Sequence, residues 1–208
     1  MYKLAAFEQW RGVIKAFRFY WNAYGGLGAF FSSPYCHIAL VITVITKNYW
    51  LSNCWFDQAL SIVPSLLGFT LAAYTIILTI GNDQFRRILA SIFYPENSSP
   101  PKTEKTDSPS VLMVNSTVFF HVLFIQMITT VSSVLCKEYR LSTHIVDQVK
   151  GPFPVAWWSI TMHGIAYFFY ILSLLLILAA CVCVFRLSQS IDDFLRFEAE
   201  KDELEKRH

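Results

Sequence analysis

The run AWWSITMHGIAYFFYILSLLLILAACVCVF, residues 156–185, holds no charged side chain over 30 positions. A second run, ALSIVPSLLGFTLAAYTIILTI at residues 59–80, holds none over 22. About 20 apolar residues in a helix cross a hydrocarbon core of ~30 Å. A helix is the only open-ended segment that satisfies its own backbone N–H and C=O groups there. Both runs therefore predict transmembrane helices, and the fold class follows: an all-α, polytopic membrane protein.

The composition agrees. Hydrophobic residues make up 54% of the 208 positions, and the mean hydropathy of +0.41 is too high for a soluble domain of this size. A formal net charge of only +2 gives no broad basic field, so direct nucleic-acid binding is not expected. The length allows one bundle with short tails and no separate catalytic domain. No internal repeat is visible; the apolar runs differ in length, polarity and flanks.

Working outward, residues 111–136 form an uncharged but polar span, expected to turn one side to protein rather than lipid. Residues 27–50 give a weaker span, interrupted at Ser32, Ser33 and Pro34 and closed by Tyr49 and Trp50, which suit an interfacial belt. A re-entrant first segment is the alternative to a full crossing. The expected bundle thus covers residues 27–185, with spans near 27–50, 59–80, 111–136 and 156–185. Thirteen of the 17 basic residues lie before Ser33, between the second and third spans, or after Phe185. The positive-inside rule places those three segments, and both termini, in the cytoplasm.

Residues 1–22, with basic residues spread through them and no uninterrupted apolar core, are not expected to be a cleavable signal peptide, and 1–26 is the expected first segment. They pattern as an amphipathic interfacial helix, with Leu4, Phe7, Ile14, Phe17 and Tyr20 set against Lys3, Arg11, Lys15 and Arg18. Packing of this helix on the bundle is the other reading. Gly25, Gly26 and Gly28 provide a hinge before the first span. Residues 95–109, rich in Pro, Ser, Thr and Lys, form a cytoplasmic linker without a core.

Several side chains stand out within the spans. Pro64, Gly68, Ala72, Thr75 and Thr79 fall within about 80° of helical arc, a small-residue stripe suited to close helix packing. Asn115, Gln126, Thr129, Thr130 and Ser133 share about 100° of the third span. That polar face serves either interhelical hydrogen bonding or pore lining, and the second requires an oligomer. Thr117, His121 and Ser132 make an opposite strip. His121 and His163 read as hydrogen-bonded packing residues. No span contains Asp or Glu, and hydrolase, zinc-protease and phosphate-loop motifs are all absent. Accordingly no catalytic residue, metal site or cofactor is expected. Cys54 and Cys136 both fall on the outer side in this topology and are a candidate disulfide. Cys181 and Cys183 read as small apolar packing residues.

Residues 186–208 continue the last span as a cytoplasmic helix. Ile191, Phe194 and Leu195 lie on its apolar face, which has no evident intramolecular mate, and seven acidic residues against five basic ones make it slightly negative. That face suits a cytosolic protein partner. The run Pro64-Ser65-Leu66-Leu67-Gly68-Phe69, followed by a span exit into Phe85-Arg86-Arg87, resembles small four-span membrane proteins of prokaryotic anti-phage defence loci, most of all the membrane subunit of the two-component Kiwa system. The resemblance covers the layout and this short stretch. It implies a homo-oligomeric sensor in a bacterial inner membrane that docks and controls a cytosolic partner, and it carries over no functional residue. Three functions stay open: a non-enzymatic sensor or scaffold, an oligomeric pore, and a membrane enzyme, which the missing carboxylates disfavour.

Overall fold

The computed structural model describes residues 2–52, 55–79, 111–138 and 153–207. Its elements are α1 (Tyr2–Tyr24), α2 (Gly26–Ser32), α3 (Pro34–Ile45), α4 (Lys47–Ser52), α5 (Trp55–Thr79), α6 (Val111–Glu138) and α7 (Phe153–Arg207); among the described residues there is no strand. Three helices, α5, α6 and α7, are long and apolar enough to cross a membrane, and the bent pair α2–α3 makes a fourth if counted as one span. The linker at 95–109, Cys54, and the Phe85-Arg86-Arg87 exit lie outside the described residues.

The weak first span is broken where its sequence is weakest. Pro34 opens α3 at its first turn, where a missing N–H costs nothing. The residue before a proline is pushed out of the α region, and Ser33 is extended, with φ −68° and ψ 128°. The result is a 58° bend between α2 and α3. A second break follows at Thr46, so residues 27–50 form three helices rather than one. The hinge is narrower than the three glycines suggest. Gly25 and Gly26 take left-handed φ values of 97° and 66°, which side chains with a Cβ resist, whereas Gly28 lies within α2.

Cross-helix contacts set the register of the bundle. Asn115 meets Cys183 and Thr129 meets Phe169, so α6 and α7 run antiparallel. Gln126 meets Thr70 and Lys137 pairs with Asp57 at 3.1 Å, so α5 and α6 do too. Helix α3 packs on α7, and α1 packs on α6. One buried cluster gathers Ala39, Phe119, Val122, Leu172 and Leu176. A second, toward the Asp57–Lys137 end, gathers Trp50, Trp55, Phe56, Tyr167 and Tyr170.

Many large hydrophobic side chains lie on the exterior. Ile45 and Phe69 are 76% and 75% exposed, which lipid tolerates and water does not. Helix α7 is one continuous element of 55 residues, roughly 80 Å long at ~1.5 Å per residue. It therefore runs well beyond the start of α6, and its extension is not a free amphipathic face. Leu187 is buried, and Ile191 and Phe194 pack against the first cluster. The expectation that this face lacks an intramolecular mate is corrected for these two residues. Leu195 alone of the three expected contact residues is open to a partner, at 57% exposure.

Candidate functional site

The polar face of α6 is turned into its own bundle. Gln126, Thr129 and Ser133 are fully buried. The Gln126 amide donates to Thr70 Oγ1 at 3.2 Å. The Thr129 hydroxyl lies 2.9 Å from the Ile125 carbonyl and 3.0 Å from the Phe169 carbonyl. Cys183 Sγ donates to Asn115 Oδ1 at 3.5 Å, and Thr130 donates to the Gln126 carbonyl at 2.9 Å. The Gln126, Thr129 and Asn115 bonds join α6 to α5 and α7 within one chain. Among the described residues, Gln126 Oε1 and Ser133 Oγ remain buried without a hydrogen-bond partner, a costly state in an apolar interior.

The opposite strip docks the N-terminal helix. Tyr20, the last buried residue of α1, makes a 2.6 Å hydrogen bond to His121 Nδ1. Burial, and secondarily the neighbouring Tyr24, pushes the Tyr20 phenol well above its ordinary range, so it stays protonated in this bond. The Tyr24 ring stacks on the imidazole with centroids 4.1 Å apart. Phe17 reaches Phe124 at 5.5 Å and Tyr20 reaches Phe120 at 4.7 Å. The two readings of α1 are thus not exclusive: one side packs on the bundle, while Trp10, Val13 and Ile14 stay exposed.

The other buried histidine sits in an aromatic cage that sequence reading missed. Around the His163 ring stand Trp55 at 5.6 Å, Trp50 at 6.3 Å and Phe56 at 6.4 Å, centroid to centroid. His163 is 2% exposed, and among the described residues neither ring nitrogen has a hydrogen-bond partner. Trp50 donates to the Thr43 carbonyl at 2.9 Å, whereas Trp55 Nε1 donates to nothing. Gly164 admits the Trp50 ring: a Cβ there would lie 3.2 Å from the indole. Trp50 was expected in an interfacial belt with Tyr49; Tyr49 is exposed, but Trp50 is buried. The only sequence signal for the cage was the grouping of Trp50, Trp55 and Phe56 at facing span ends.

The remaining expected sites lie apart from these. Pro64, Gly68, Ala72, Thr75 and Thr79 are all on the exposed side of α5, and nothing lies within 4 Å of a Cβ placed at Gly68. Among the described residues, the stripe therefore packs against no other helix. Cys136 is a buried free thiol, and its proposed mate, Cys54, is outside the described residues. Cys183 is buried and Cys181 is exposed. Among the described residues, no group of three His, Cys, Asp or Glu side chains comes together as a metal site.

No family model, curated protein or solved structure matches the chain. Its chemistry must therefore be read from its own geometry. A nucleophile needs a base within hydrogen-bond reach. The hydrogen bond of His121 goes to a tyrosine, and His163 makes none. Buried hydrogen bonds and stacked rings hold helices together here; the exposed features are the α1 surface, the α5 stripe and the end of α7.

Proposed function

We propose that the chain is a non-enzymatic, homo-oligomeric sensor or scaffold. It crosses a bacterial inner membrane four times, with both termini in the cytoplasm, and controls a cytosolic protein through the end of α7. The observation that carries this reading is the continuity of α7. One helix passes the His163 cage, crosses the bundle, and extends far enough to present Leu195, Phe197 and Leu204, each more than half exposed. A continuous helix moves as a unit, so a displacement at the cage end reaches the tail. The resemblance to anti-phage membrane subunits supports the same role.

The test is the double variant Leu195→Ser/Phe197→Ser, expressed in cells where the protein is active. Both side chains are exposed, so thermal stability and oligomeric mass should hold while a cytosolic partner retained by the parent chain is lost. Retention of every partner by the variant would rule the tail out. Burial of the α6 polar face within the protomer weighs against the pore reading. Liposome conductance that persists after deletion of residues 186–208 would reinstate it.

A further inference from the structure

We propose that α1 binds anionic phospholipid headgroups at the edge of the bundle, with Arg11, Lys15 and Arg18 on the lipid phosphates. The three cations recur at i, i+4 and i+7, within about 60° of helical arc. Together with Glu8 and Ile14 they line one open depression on the protein surface. All three are exposed. The ion pairs among the described residues lie elsewhere, at Lys137–Asp57 and Arg196–Asp192. With Glu8 as the single acid in the group, the depression carries an excess of positive charge.

Its placement selects the ligand. Tyr20, which docks α1 on α6 through His121, projects about 180° around the helix from Arg11, so the cations face away from the protein. Trp10 and Ile14, 67% and 51% exposed, occupy the arc between the docked side and the cations. Depth follows from the register of α6. Phe124 and Phe120, which receive Phe17 and Tyr20, lie 13 and 17 residues from Lys137 at the far end. That is roughly 20–25 Å of helix. With Lys137 at one boundary of a ~30 Å core, the Phe17–Tyr20 turn of α1 lies about 5–10 Å inside the other, within the depth range of interfacial helices. From a helix at that boundary, exposed Trp10 and Ile14 would face acyl chains while long basic side chains extend toward the phosphates. Two guanidinium forks and one ammonium match phosphate oxygens. A soluble protein partner would instead meet the exposed Trp10 and Ile14 from within the bilayer.

The inference rests on the membrane placement proposed above but not on the tail or any partner, so either can fail alone. The experiment uses the full chain in nonionic detergent, titrated with phosphatidylglycerol, phosphatidylcholine or sodium phosphate and read by native mass spectrometry and thermal unfolding. Phosphatidylglycerol should bind at least about tenfold more tightly than phosphatidylcholine, because three basic side chains attract an anionic headgroup. Arg11→Gln/Lys15→Gln/Arg18→Gln should abolish the preference, while Lys137→Gln, at the opposite end, should keep it. Lys15→Gln alone should reduce it, and this variant serves if the triple one does not fold. Equal binding of the two lipids, a preference that survives the triple substitution, or one left undiminished by Lys15→Gln would overturn the proposal. An equal thermal shift with sodium phosphate would overturn it in favour of a free-anion site.

Discussion

His163 and His121 are both buried imidazoles on apolar helices, yet opposite substitutions should matter at each. His121 is satisfied by Tyr20 at 2.6 Å, so Tyr20→Phe leaves a buried nitrogen unpaired. A loss of about 1–2 kcal/mol is expected, read as a lower unfolding temperature in detergent. His163 has no partner to lose. His163→Leu removes two orphaned polar atoms at similar volume and should leave stability unchanged or raise it by about 1 kcal/mol. A drop instead would show that a bound water or ligand satisfies the ring. At the next position the limit is steric. Gly164→Leu drives a side chain into Trp50, already 3.2 Å from a Cβ, and should cost about 1–3 kcal/mol.

At the scale of single helices, α5 and α7 show how an apolar or small-residue stripe can serve two masters. Gly68 faces outward with nothing within 4 Å, so Gly68→Leu should leave protomer unfolding within about 0.5 kcal/mol of the parent. If the stripe joins copies of the chain, as the proposed homo-oligomer requires of an exposed close-packing face, the same substitution lowers the mass measured by light scattering. An unchanged mass assigns the stripe to lipid. Along α7, Ile191→Ser/Phe194→Ser should destabilise the fold, because both side chains pack on the first core cluster. Leu195→Ser/Phe197→Ser should not. The pair of double variants separates structural anchoring from partner contact on one helix.

For the whole molecule, the decisive quantity is topology. Thirteen of 17 basic residues flank one side of the proposed four-span arrangement. A cysteine placed at Ser98 in a cysteine-free background should react with an impermeant maleimide only after the cells are opened. Labelling in intact cells would invert the orientation and move the tail outside. The breaks at Ser33 and Thr46 leave the first crossing the least secure of the four. A second cysteine placed at Lys47 should therefore label from outside, and protection there would make the segment re-entrant.

By itself the chain's pattern determined that the protein is helical and membrane-embedded, and roughly where α5, α6 and α7 run. Hydrocarbon admits only self-satisfied backbone, and that demand is written in uncharged runs such as 59–80 and 156–185. Pro34 likewise announced the break in the first span, because proline acts on its own backbone and that of its neighbour. Tertiary structure alone decided what each face meets. Periodicity placed Gln126, Thr129 and Ser133 on one side of a helix, but the same spacing serves a lumen or a core. It gathered the Gly68 stripe correctly, yet small residues look alike whether packed or exposed. Tyr20 and His121 lie 101 positions apart, and the His163 cage draws on three helices. Such contacts depend on how helices dock, and docking is set by the summed shape of many side chains, which no local pattern records.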